Sequence, residues 1–116
     1  MKHIAARTAR RAPVSHDPQM MKEILLEAGE LAPLTQLARV SLQPGQHTRP
    51  HRHPDMHEIF LVESGQGQAE IDGNTLSLAA GDCLWVEPGE EHRLSNPHDH
   101  PLRLFYFGLA AGNGGN

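Results

Sequence analysis

Short runs of alternating apolar and polar residues, each closed by Gly, Pro, Asn or Asp, make up most of the chain after its first thirty or so residues. The clearest are LTQLARVSL, HEIFLVES, QAEIDG, NTLSL, DCLWVE and PLRLFYFGL. Alternation places every second side chain on one face of a strand, so each run predicts a strand with one buried face. Turn signals separate them at Pro44-Gly45, Ser64-Gly65, Asp72-Gly73-Asn74, Gly81-Asp82 and Pro88-Gly89. Asp72-Gly73 predicts a tight hairpin, because both residues tolerate the positive φ of a type I′ turn. The earlier run MMKEILLEAGEL also fits a helical period; we read it as a strand. Many evenly spaced short strands predict an all-β sandwich or barrel, and a double Greek-key jelly roll is one way such a fold controls its sheet edges. The chain then divides into an N-terminal arm over 1–22, a barrel over 23–109 and a tail over 110–116, too rich in Gly and too poor in apolar residues to bury itself.

Composition narrows the function classes. At 116 residues the chain has room for one domain. No apolar run approaches the roughly 20 residues that span a bilayer, so no membrane partner is expected. The start is basic through Arg7, Arg10 and Arg11 but lacks the apolar stretch of a secretory signal. A transit peptide is the alternative; a cytoplasmic protein is the expectation. A net charge of −4 argues against nucleic acid as partner, since phosphate binding needs a concentrated basic face. Cys83 is the single cysteine and can form no internal disulfide.

Nine histidines change the picture. His47, His51, His53 and His57 crowd one stretch, and His92, His98 and His100 another. Imidazole is the commonest metal ligand, so two distant groups point to one assembled site. His51 and His53 are two apart and share a strand face. A bend at Pro54-Asp55 would return HEIFLVES alongside and aim Glu58 at the same point, with Phe60 and Val62 on its face and His57 on the other. His57 is the one substitute for Glu58, through a slipped register. In the second group His92, Leu94 and Asn96 share a face. Three imidazoles and one carboxylate suit one divalent Mn, Fe, Co, Ni, Cu or Zn and leave positions open for water or substrate.

The spacing is itself a pattern. GQHTRPHRHPDMHEIFLVESG resembles the first cupin motif: Gly, five residues, His-x-His, three or four residues, Glu, six residues, Gly. GDCLWVEPGEEHRLSN resembles the second: Gly, five residues, Pro, x, Gly, two residues, His, three residues, Asn. The second departs at Glu87, where proline is expected; Pro88 follows instead. The two motifs and their spacer cover about half the chain. The resemblance implies a jelly-roll β-barrel, commonly a homodimer, with the metal held inside by His51, His53, Glu58 and His92. It implies no single reaction, because cupins include dioxygenases, isomerases, decarboxylases, sugar-binding sensors and storage proteins.

Around that centre the expectations are looser. Phe60, Val62, Leu94 and either Phe105 or Tyr106 are expected to line a partly apolar pocket with few charges beyond the ligands. His47 is placed at its mouth as a distant candidate acid or base, and no catalytic residue is named. His98 and His100 form a second His-x-His, read as a solvated loop. Cys83 and Trp85 share a strand face that packs a core or a dimer surface; Arg93 and Asn96 serve the site or the loop. Ile59 and Leu61 face away from the metal and offer a dimer surface. Two functions compete: a metal-dependent enzyme on a small oxygenated molecule, dioxygenase- or isomerase-like, and a non-enzymatic cupin that binds or senses a small ligand. A metal-free structural barrel is the third.

Overall fold

The computed structural model describes residues 1–15 and 17–112, and among these it is built almost wholly from strands. After a single 3₁₀ turn at Ala6–Thr8 come β1 (Arg10–Val14), β2 (Asp17–Leu26), β3 (Leu34–Leu42), β4 (Met56–Ser64) and β5 (Gln66–Ile71). Then follow β6 (Asn74–Ala79), β7 (Cys83–Val86), β8 (His92–Ser95) and β9 (Leu102–Ala110). MMKEILL is therefore strand, within β2, as its reading required.

Two antiparallel sheets enclose one core. The larger runs β1-β2-β3-β9-β4-β7 and the smaller β6-β5-β8. Phe60, Val62, Leu102 and Leu104 from the first meet Ala69, Leu78 and Leu94 from the second, which makes the space between the sheets the hydrophobic interior. Isolated bridges His47↔Ser95 and His51↔His92 extend the smaller sheet beyond β8. This all-β architecture of two packed antiparallel sheets falls within the sandwich or barrel that the strand rhythm predicts.

Register fixes which side chains point inward. Gln36, Gly108, Glu58 and Val86 lie opposite one another across β3, β9, β4 and β7. The neighbouring inward row is Ala38, Tyr106, Phe60 and Leu84, and the next is Ala12, Lys22, Val40, Leu104 and Val62. Because side chains alternate, the residues between these rows cover the outer face: Leu37, Phe107, Ile59 and Trp85 in one row, Arg39, Phe105, Leu61 and Cys83 in the next. Arg39 lies over the Phe105 ring at 4.4 Å, which puts Phe105 outside the barrel.

The turns follow their chemistry. Asp72 (φ 48°) and Gly73 (φ 83°) close the β5–β6 hairpin with the two positive φ values of a type I′ turn. In Glu87-Pro88-Gly89-Glu90 the Glu90 amide donates to the Glu87 carbonyl at 3.1 Å, and Gly89 has φ 85°. Proline second and a positive-φ glycine third is the arrangement of a type II turn. Glu87 opens that turn, so the one departure from the motif leaves the turn intact.

The boundary expected at 22/23 falls inside β2, and β1 and the first half of β2 are paired members of the larger sheet. At the other end β9 runs to Ala110, which pairs with Met56. The tail expected to be disordered over 110–116 is thus corrected at its start, where Ala110 belongs to β9 and the Ala111 amide donates to the Asp55 carbonyl at 2.8 Å; residues 113–116 lie outside the described residues.

Candidate metal centre

His51 and His92 come from motifs 41 positions apart, yet they face each other as backbone partners. The His51 amide donates to the His92 carbonyl at 3.1 Å and the His92 amide to the His51 carbonyl at 2.9 Å. The Gly89 amide donates to the His53 carbonyl at 2.8 Å, tying the type II turn to the third imidazole. Glu58 arrives from β4, where its register sends it into the barrel. The ligating atoms of His51, His53, Glu58 and His92 all lie within 4.8 Å of one another.

The rings are held by their other nitrogens. His51 Nδ1–H donates to the Arg49 carbonyl at 2.9 Å, and His92 Nδ1–H to the Glu90 carbonyl at 3.2 Å. A carbonyl can only accept, so each Nδ1 carries a proton, and each Nε2 faces the barrel interior, where it can ligate once any proton it shares with Glu58 has left. The segment before His51 is anchored by Asp17, 1% exposed, whose two carboxylate oxygens accept the Arg49 amide at 3.1 and 3.3 Å. Thr48 Oγ accepts the Leu94 amide at 2.9 Å and locks the same segment to β8.

Glu58 Oε1 lies 2.9 Å from His92 Nε2 and 3.3 Å from His53 Nε2. Three electron-pair donors converging this closely in a buried place repel one another unless a cation lies among them. A proton on an imidazole serves in the free protein; a divalent metal suits the set better, since ligands at about 2.1 Å from one ion sit roughly 3 to 4.2 Å apart. The residues therefore fit a transition metal with mixed nitrogen and oxygen ligation. Burial alone would push the Glu58 pKa up, but the His92 hydrogen bond and the positive charge available on the three imidazoles hold it below the ordinary carboxylate range. Burial lowers the pKa of His51, which favours the neutral ring that a metal needs.

A cavity of about 160 Å³ opens over these four residues. Phe60, Leu94 and Tyr106 line it, as expected for the first two and for one of the aromatic alternatives. Val62 lies in the packed core beneath, not on the cavity wall. Tyr106 stacks on Phe60 with ring centres 5.6 Å apart and contacts Gln36 Oε1 at 3.4 Å. Burial, with the Glu58 charge, pushes its phenol pKa up to about 12, so it stays a donor.

The other histidines lie elsewhere. His47 pairs with Ser95, is exposed and lines no part of the cavity, because Thr48 takes the inward position; the acid or base role considered for it has no geometry here. His57 faces outward and accepts the Trp85 indole N–H at 3.0 Å, so it does not replace Glu58. His98 and His100 are exposed and belong to no metal-binding group among the described residues. Asn96 serves the loop: its amide donates to the Leu42 and His100 carbonyls and accepts the His98 amide. Arg93 pairs with Glu70 at 3.5 Å.

Sequence reasoning missed the contribution of β2. Asp17 and Lys22 both line the cavity, and Lys22 is only 8% exposed. The signal was present, since Lys22 alternates with Met20 and Ile24, both core residues.

Comparison with known proteins gives the family and the fold. A cupin domain family model matches residues 38–108, from β3 to the inward Gly108 of β9. The chain belongs to the cupin family. Among curated proteins this cupin is 32% identical over 67 residues to an oxalate-binding protein of Thermotoga maritima, a match that spans 58% of this chain and 55% of that protein. The chain thus spans about half the length of that relative. An uncharacterised protein of Methanocaldococcus jannaschii is 23% identical over 91 residues, 78% of this chain and 73% of its own. The structure of a predicted oxalate decarboxylase from Thermotoga maritima superposes with a TM-score of 0.85 at 20% identity, covering 94% of this cupin and 99% of that chain. A sugar phosphate isomerase from Silicibacter pomeroyi gives 0.78 at 20% identity, covering 93% and 75%. At such identities the structural likeness is one of fold. Among the described residues no helix is long and apolar enough to cross a membrane.

Proposed function

We propose that this cupin holds one divalent transition metal at His51, His53, Glu58 and His92 and acts as an enzyme on a small oxygenated molecule that enters the cavity above them. The observation that carries the reading is the convergence of four ligand atoms within 4.8 Å beneath an otherwise largely apolar cavity. When bound, such a metal supplies Lewis acidity that polarises a carbonyl or stabilises an enolate and, for Fe or Mn, oxygenase chemistry. The chain's own residues supply the rest. Phe60 and Leu94 exclude water, and the Tyr106 hydroxyl, which donates to Gln36 Oε1 in the free protein, turns its proton to an oxygen of the bound molecule. At about 160 Å³ the cavity is smaller than the 300–1,000 Å³ typical of drug-sized ligands, which favours a compact metabolite. Relatives described as oxalate-binding and as isomerase are in keeping with such a molecule. The first of these names also supports the second reading, a cupin that binds its ligand without changing it.

Protein purified without added metal is expected to carry about one equivalent of a transition metal, lost in His53→Ala. Reloading to a hundredfold above Kd stabilises by about 2.7 kcal/mol, which for 116 residues raises Tm by about 11 °C. Absence of both metal and shift overturns the metal site. Oxygen uptake, isomerisation or decarboxylation across a metabolite screen establishes an enzyme; a ligand recovered unchanged after saturable binding establishes the second reading.

A further inference from the structure

Lys22 carries its amine into the barrel without an ion pair among the described residues. Register on β2 places it between Ala12 and Val40 on the inward face, with 8% of its surface exposed. No hydrogen bond or ion pair holds its side chain among the described residues, although every sealed side-chain nitrogen or oxygen there has a partner. Its Nζ is therefore not sealed: it looks into the cavity that Lys22 lines together with the four candidate ligands. Asp17, the other acidic residue on that wall, spends both oxygens on the Arg49 amide. Burial, and after it the Arg10 charge, lower the Lys22 pKa from its ordinary value, and the Glu58 charge opposes them; Glu58 itself is engaged by His53 and His92. A buried, unpaired ammonium costs stability, and an anion that enters beside it removes that cost.

We propose that Lys22 is a specificity-determining residue that receives a carboxylate of the cavity's ligand. The substrate class is then a small organic acid with a second oxygen-bearing group at its other end. Tyr106, a donor from the neighbouring inward row, and Gln36 stand on the same cavity wall and provide further hydrogen bonds. Among the described residues Lys22 is the only lysine or arginine on that wall, and no helix N-terminus reaches it. One monovalent cation matches a carboxylate; a phosphate dianion calls for an Arg fork or several amides. The first end rests on Lys22 alone, whereas placement of the second end at the metal rests on the function proposed above.

The test compares wild type with Lys22→Met in isothermal titrations against malonate, succinate and glutarate. Each dicarboxylate is matched with the monocarboxylate that carries a methyl group in place of one acid. Wild type should prefer the best-fitting dicarboxylate, and Lys22→Met should bind it about 10- to 100-fold more weakly while keeping its affinity for the monocarboxylate and for metal. Lys22→Arg should recover part of the loss. Equal dicarboxylate affinity in wild type and Lys22→Met overturns the proposal, as does binding of inorganic phosphate that outcompetes every dicarboxylate. Failure of the metal reading is seen separately, as wild type without stoichiometric metal; the same comparison in metal-free protein then decides the Lys22 end. Lys22→Gln gives the same readings should the methionine variant not fold.

Discussion

Replacing Asp17 with alanine separates holding the fold together from aiming a ligand. The carboxylate is 1% exposed and accepts the Arg49 amide through both oxygens. The carbonyl of the same Arg49 accepts His51 Nδ1–H. A hydrogen bond to a charged group contributes about 1.5–3 kcal/mol. With an unfolding entropy near 0.24 kcal/mol/K for 116 residues, its loss lowers Tm by about 6–12 °C. The exposed Arg49 can recruit water to its amide, which argues for the lower half of that range. If Arg49 then moves, His51 loses its fixed rotation about the ring, and metal affinity falls. Removing an outer partner of a ligand typically costs 10–100-fold; Asp17 acts one residue further out, so about tenfold is expected. Melting of metal-free protein reads the first effect, and competition with a chromogenic chelator reads the second. Asp17→Asn, which keeps an acceptor, should fall between wild type and Asp17→Ala in both. A lowered Tm with metal affinity within about twofold of wild type would refute the positioning argument, and an unchanged Tm would refute the energetic one.

Two further outcomes are expected. Glu58→Gln, which keeps the shape and removes the charge, should weaken metal binding by at least about tenfold, whereas His57→Ala should leave it unchanged; the reverse result in a metal titration would exchange their roles. A second copy of the chain is expected to cover the outer face around Leu61 and Trp85, 41% and 57% exposed, in a two-fold contact. Sedimentation should then give a dimer at micromolar concentration and a monomer for Leu61→Glu with metal binding intact; a monomeric wild type removes the expectation.

The strands and the candidate ligands were legible in the sequence because both rest on short-range regularities. Alternation in LTQLARVSL and HEIFLVES coincides with β3 and β4, and Asp72-Gly73 signals its own hairpin. His-x-His brings two imidazoles together by local geometry alone. Less legible were the features set by long-range register. Tyr106 rather than Phe105 faces inward because Leu102 and Leu104 are inward in the same strand. His47 points away because Thr48 is drawn to the Leu94 carbonyl and amide. Asp17 and Lys22 went unnoticed because they precede both motifs in the segment read as an arm. Only strand pairing shows that this segment closes the cavity.

The mutual backbone pairing of His51 and His92 has a kinetic meaning. Two of the four candidate ligands cannot drift apart independently, since each amide is held by the other's carbonyl. Side-chain motion alone can let go of one donor at a time. Wider release requires the two chain segments to separate, on the timescale of local unfolding. A metal seated there would leave slowly for a reason unrelated to how tightly any single ligand grips it.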